Sequence, residues 1–279
     1  MNSTATTTCE IDVLKASHRA TWDSGDYAAV ARDLVTEVAG AAVTAARPGP
    51  GDSLLDVATG TGNAAIPSAL KGARVTGLDL APSLLEVARH EAAVAGVDIE
   101  WVEADAEDLP FPDASYDKVL SVLGVQFAPH HETCARELAR VVRPGGEIIL
   151  CSWTPEGFIG QFFKTIGPYM PSPPVGASPP PLWGDERHVG KLFARLDVEF
   201  EFERRSVMFR QQSPSVFVDY MARNYGPLLK ARERLTPEGR WQELRADLVT
   251  LSESLNRVPG GFSVPSEFLL ARGLRQWAP

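Results

Sequence analysis

Between Leu54 and Trp153 short apolar runs alternate with helical stretches, and this alternation restricts the fold more than any other feature of the chain. The runs Leu54 to Ala58, Arg74 to Leu78, Ile99 to Glu103, Lys118 to Val122 and Glu147 to Trp153 read as strands. Ala64 to Lys71, Leu84 to Ala95 and Glu132 to Val142 read as helices between them. Strands apolar on both faces, alternating with helices, predict a mainly parallel α/β sheet covered on two sides. A chain of 279 residues, 44% apolar, is long enough for one such domain with an elaborated cap.

Three regions flank or form this pattern: 1–50, 51–153 and 154–279. In the first, Val30, Leu34, Val35, Val38 and Val43 are spaced for one face of a helix that the run Arg47-Pro-Gly-Pro-Gly51 ends. In the third, the stretch from Tyr169 to Pro181 is too proline-rich for helix or central strand. With Trp183 directly behind it and regular pattern resuming, it reads as a lid or insertion rather than a linker. Val198 to Phe209 alternates apolar and charged residues as a strand with one exposed face, two helices are expected over Pro214 to Asn224 and Pro237 to Leu255, and Glu267 to Leu274 could close the sheet.

Leu54-Leu-Asp-Val-Ala-Thr-Gly-Thr-Gly-Asn63 runs from a strand into a glycine-rich turn at the carboxyl edge of the sheet, where ligands of open α/β folds bind. Gly60 and Gly62 allow a sharp turn and a close approach to a ligand. Gly60-x-Gly62-x-x-Ala65 followed by Asp79 also fits the dinucleotide fingerprint, and an acidic residue at 79 can accept hydrogen bonds from the ribose hydroxyls of either kind of nucleotide. Asp56, inside the strand, needs a cationic or hydrogen-bonding partner. It either braces the loop through backbone N–H groups or supports an amino group of the ligand. Further signals follow in Glu103-Ala-Asp105-Ala-Glu107, in Leu109 to Asp117 and in the Pro-Gly-Gly turn of Arg140 to Gly146.

Taken in order, these motifs resemble those of class I S-adenosylmethionine-dependent methyltransferases, in the ubiquinone/menaquinone-biosynthesis-like branch common in actinobacteria. The resemblance implies a Rossmann-like, mostly parallel sheet of seven strands with the last antiparallel, helices on both faces, an N-terminal helical lid (1–50), a cofactor-binding core (51–153) and a C-terminal helical cap (154–279) within a single domain. It implies S-adenosylmethionine as cofactor, with Asp79 holding the ribose hydroxyls, Asp105 and the backbone of Ala106 binding adenine, and Leu80 packing on its ring. Ala58, Gly60 and Gly62 would line the methionine portion, supported by Asp56, with Ser121 to Val122 passing beneath the sulfonium. Thr59 and Asn63 of the same turn, and Tyr27, complete the cofactor candidates. Ala81 stands where such helices carry a hydroxyl cap, with Pro82 behind it. Trp22 and Tyr27 correspond to a segment that folds over the ligands.

Methyl transfer to a hydroxyl or acidic carbon is helped by a general base, for which histidine is suited near neutral pH. His130, after the fourth strand, is the first candidate and His18 the second; His131, His90 and His188 read as structural or solvated. Trp22, Gln126, Phe127, Trp153, Trp183 and Tyr225 are the expected substrate wall, for a small quinone-like, polyketide or other secondary-metabolite acceptor methylated at carbon or oxygen. The alternatives are a non-methylating reaction, such as a cyclisation, on the same cofactor fold, or a nicotinamide-dependent oxidoreductase. No Tyr-x-x-x-Lys pair supports the latter, and the Pro-Gly-Gly turn speaks against it.

The net charge of −9 argues against a nucleic-acid partner, because phosphate binding needs a cationic footprint. Cys9, Cys134 and Cys151 form no CxxC pair, so neither a disulfide framework nor a metal site is expected. Without an apolar run of membrane-spanning length or a signal-like start, the chain reads as cytoplasmic with no membrane span. A homodimer is compatible with this reading.

Overall fold

The computed structural model describes residues 13–277, apart from the side chains of Tyr27 and Ala28; Cys9 lies outside the described residues. Helix α1 covers residues 13–22. After a turn, α2 (Tyr27–Val30) passes through one π-helical turn, Ala31–Val35, into α3 (Thr36–Ala46). The expected single helix is thus interrupted. A wide turn inserts one extra residue per repeat, and the Thr36 hydroxyl donates to the carbonyls of Ala31 and Arg32. Arg47, left-handed at φ 48°, ends α3 ahead of the Pro-Gly run.

The core then alternates as expected: β1 (Ser53–Val57), α4 (Ala65–Leu70), β2 (Arg74–Asp79), α5 (Pro82–Ala95), β3 (Glu100–Glu103), β4 (Tyr116–Val122), α6 (His131–Val141) and β5 (Val142–Trp153). Ala81 precedes α5 without a side-chain cap hydrogen bond, and Gly96 at φ 71° ends it. Beyond β5 come α7 (Phe158–Ile166), α8 (Glu186–Phe193), β6 (Val198–Gln211), α9 (Pro214–Asn224), α10 (Gly226–Leu235), α11 (Trp241–Leu255) and β7 (Phe262–Arg275). Helices α7, α8 and α10 were not expected. They are short, and α7 and α10 carry glycines at their ends. The Pro-rich stretch runs into a 3-10 turn, Pro180–Gly184, and Ser178 N–H donates to the Pro129 carbonyl at 2.9 Å.

The seven strands lie in the order β3-β2-β1-β4-β5-β7-β6. Strands β1 to β5 pair in parallel, whereas β7 is antiparallel to both β5 and β6. Each face carries a core. Leu54, Leu120, Ile149, Trp153 and Phe209 belong to one; Leu55, Val119, Ile148, Leu150 and Trp183 belong to the other. Two-sided burial is why the central strands read as continuous apolar runs. The chain leaves β1 towards β2 and β3, then returns on the other side through β4. The carboxyl ends of β1 and β4 therefore border the crevice expected at such a reversal. No helix among the described residues is long and apolar enough to cross a membrane.

Candidate active site

At this reversal lies a cleft with about 1330 Å³ of atom-free space. That space includes the open mouth of the cleft, and its walls are drawn from the N-terminal helices, the α/β core and the cap.

The floor is made by two loops in close backbone contact. Ala58, at φ 54°, follows β1, and Leu123, at φ 59°, follows β4; both are non-glycine residues in the left-handed region, where strain is held by the surroundings. Gly124 permits the approach, since a Cβ there would stand 2.5 Å from the Ala58 Cβ and 2.7 Å from its carbonyl oxygen. Gly60, at φ 56°, lines the cleft, and a Cβ on it would meet no protein atom: the turn presents bare backbone to the cavity. Gly62 serves otherwise. It faces Trp101 and Ile66, with a Cβ 3.0 Å from the Trp101 ring, and does not line the cleft.

Two buried carboxylates underlie the turn. Asp79 accepts from Gly60 N–H at 2.8 Å and Ala81 N–H at 2.9 Å, and burial pushes its pKa up. It borders the cleft. Asp56 lies beneath, accepting from the Thr59 hydroxyl at 2.6 Å through one oxygen, while the other is buried without a partner. Burial raises its pKa to about 7. Ser121 is a staple rather than a lining group: its hydroxyl donates to the Val57 carbonyl at 2.7 Å and accepts from Val125 N–H at 3.1 Å. Val122, Ala58, Thr59, Asn63 and Leu80 do line the cleft.

Towards β3 the cleft is bordered by Asp105, Ala106, Lys15 and His18. Asp105 accepts from Glu107 N–H at 2.9 Å, and the Lys15 ammonium sits 2.7 Å from Asp105 and 2.6 Å from Glu107. Burial works against the charge on Lys15, but the two carboxylates outweigh it and hold the pKa above the ordinary value. His130 is bound to Glu107 at both its backbone N–H (2.7 Å) and Nδ1 (2.9 Å) and is not part of the cleft lining. The pKa of His18 is lowered by burial, with Lys15 adding and Glu107 opposing. Both base candidates thus stand at the Asp105 end.

The opposite end, beside β4 and β5, is aromatic. Trp22 meets Phe127 edge-on at 4.6 Å, Phe127 meets Phe163 at 6.0 Å, and Phe163 stacks on Tyr225 at 6.4 Å. Trp153 packs against Phe209 at 5.7 Å. Gln126, fully buried, ties the two strand ends together, donating to the Leu123 carbonyl and accepting from Trp153 N–H. Burial keeps the Tyr225 phenol protonated.

Trp183 is a correction. It packs on His131 at 5.3 Å and Phe193 at 6.3 Å, in the core of the other sheet face. Gly184 lies so close to the Trp153 carbonyl that a Cβ would stand 2.1 Å from it, and this backbone contact turns Trp183 away from the cleft. The Tyr27 side chain lies outside the described residues. Sequence reasoning missed Lys15, Leu34, Val35, Ile159, Phe209 and Met221 as lining residues. A spacing of three and four in Lys15, His18 and Trp22 is the one signal that could have flagged the first.

A parallel sheet reversing at a glycine turn, with acidic groups at the ends of β2 and β3, defines a nucleotide-type cofactor site on an α/β fold. A methyltransferase domain family matches residues 55–150. An uncharacterized protein of Mycobacterium tuberculosis is 44% identical over 227 residues, covering 81% of this chain and 83% of that protein. A demethylmenaquinone methyltransferase of Thermus thermophilus is 36% identical over 125 residues, 42% of this chain and 57% of that protein. The structure of the YcgJ protein from Bacillus subtilis superposes with a TM-score of 0.59 at 19% identity, over 87% of this chain and 99% of that one. The chain belongs to the class I S-adenosylmethionine-dependent methyltransferases. It is an enzyme of that class, with S-adenosylmethionine as its cofactor.

Proposed function

We propose that this methyltransferase acts on carbon or oxygen of a small, largely apolar, ring-bearing acceptor of the quinone, polyketide or other secondary-metabolite kind. The observation that carries the reading is the division of the cleft. Lys15, His18, Asp79 and Asp105 border one end, while Trp22, Phe127, Trp153, Phe163 and Tyr225 wall the other. Aromatic walls favour flat apolar ligands. The match to a demethylmenaquinone methyltransferase over part of the chain supports the same choice.

The residues fit the cofactor: the bare backbone at Gly60, the acceptors Asp79 and Asp105, and the buried oxygen of Asp56 that lacks a partner. In this reading Asp79 holds the ribose hydroxyls, Asp105 and Ala106 hold adenine beside Leu80, and Ala58, Thr59, Gly60 and Asn63 hold the methionine portion with Asp56 supporting from below. S-adenosylmethionine supplies an already activated methyl group. What remains for the chain is to align the acceptor and keep water out, which the aromatic wall does. His18 borders the nucleotide end and His130 is held outside the cleft by Glu107, so neither stands beside the aromatic acceptor wall as a base.

A panel of hydroquinones, naphthols, alkylamines and phosphorylated amines, assayed for S-adenosylhomocysteine and methylated product, tests this. Turnover confined to the hydroxylated rings is expected. Turnover of the amines alone would sink the acceptor class, and acceptor conversion without S-adenosylhomocysteine would favour a non-methylating reaction.

A further inference from the structure

Helix α1 reaches across both ends of the cleft. Lys15, His18 and Trp22 fall on one face of it by their spacing, and all three line the cavity. Polar contacts from Lys15, Arg19 and, in the turn after α1, Asp23 hold this segment to the rim. Lys15 bridges Asp105 and Glu107, Arg19 pairs with Glu103 at 3.0 Å, and the Ser83 hydroxyl donates to Asp23. They are unequal. Arg19 and Glu103 are both 44% exposed, a setting in which ion pairs contribute little, whereas the Glu107 side chain is 4% exposed. Without Lys15, Glu107 would keep its two contacts with His130 and Asp105 its bond from Glu107 N–H, but the two carboxylates would lose the ammonium that bridges them.

We propose that Lys15 is a positioning residue that couples cofactor binding to completion of the acceptor pocket. Its ammonium holds the Asp105 carboxylate in the adenine-facing position and, through the same contacts, seats α1 over the cleft. Because Trp22 travels with α1, the aromatic wall is complete only when the clasp is closed. This rests on the reading of the cleft as the S-adenosylmethionine site.

The test needs no acceptor. Hydrogen exchange over residues 13–22 and calorimetric binding of S-adenosylhomocysteine are measured for the wild type, Lys15→Met, Lys15→Arg and, as a control on the same helix, Arg19→Met. In the wild type the ligand is expected to slow exchange across 13–22, and its affinity to fall with added salt, since the clasp is ionic. Lys15→Met, folded by its circular dichroism and cooperative melting, is expected to bind roughly tenfold more weakly, with a flatter salt dependence and no ligand-induced protection of 13–22. Lys15→Arg restores much of both, and Arg19→Met changes neither. Equal affinity and protection in Lys15→Met and wild type would overturn the coupling. Failure of the wild type to bind the ligand would instead overturn the cofactor reading beneath it.

Discussion

Asp56 carries one carboxylate oxygen with no partner at the base of the glycine turn. Burial sets its pKa near 7, above the ordinary 3.8, so between those values the folded chain binds a proton that the unfolded chain has released. The stability from this group is fully present below pH 3.8 and is lost as the pH rises to about 7. In the ligand-free protein, Asp56→Asn should therefore flatten the fall in stability across pH 4–7 by up to a few kcal/mol, at roughly 1.4 kcal/mol per pKa unit. Denaturant unfolding at several pH values measures it. An unchanged slope would mean that Asp56 stays ionised, with a partner in solution. That Asp56 sits under the ligand turn was legible from its place four residues before Gly60. Which role it plays was not, because a one-dimensional pattern does not say that Thr59 folds back to donate to it. Gly62 illustrates the same gap. Its φ of 84° was foreseeable, but the reason for its lack of a side chain is Trp101, from a strand two positions across the sheet.

Among elements, α6 and α8 are joined by a contact that neither announces. His131, the first residue of α6, lies 2.9 Å through Nδ1 from Nε2 of His188 in α8. Burial, then the neighbouring imidazole, holds the His131 pKa down at about 4; burial also lowers that of His188. With folded values below the ordinary 6.5, stability from this pair is fully present above pH 6.5 and drains away as the pH falls towards 4. His131→Phe is expected to remove on the order of 1–2 kcal/mol of that acid loss, allowing for the partial exposure of His188 beside it. Melting temperatures at pH 4.5 and 7.5 supply the comparison, and an equal drop in variant and wild type would exclude the pair as its source. The elements of the α/β core were readable because their periods are unmixed. In the cap, β6, α9, α11 and β7 were readable, but α7, α8 and α10 were not: they are short, and tertiary packing rather than propensity sustains helices of that length. The wide turn in the N-terminal helix has no distinguishing residue pattern at all.

For the whole molecule, the limit that the alternating pattern sets at Trp153 is crossed by the sheet. Seven residues of β5, Glu147 to Trp153, pair with Leu274 to Phe268 of β7. A fragment ending at Trp153 should accordingly expose both an open strand edge and the β5 surface on which the Pro180–Gly184 turn packs, and fail to give a soluble monomer. Size-exclusion chromatography decides it, a monodisperse, cooperatively melting fragment being the contrary result. The same join explains why the nucleotide half of the cleft was legible from a contiguous hundred residues while the acceptor half was legible only in part, Trp22 and Tyr225 being foreseen and Phe209 and Met221 not. Trp22, Phe163, Phe209, Met221 and Tyr225 come from both sides of that core, and only the closed sheet and its cap bring them together.

The slot that β7 fills has a further consequence for how the chain is made. On a ribosome, β6 emerges well before the strand that separates it from β5, at synthesis rates of ~5–20 residues per second. For several seconds the nascent chain holds two unpaired edges that must not find each other. Glu199, Glu201 and Glu203 put like charge along one side of β6, which also stays at the edge of the finished sheet, and charge on an edge strand disfavours unintended pairing.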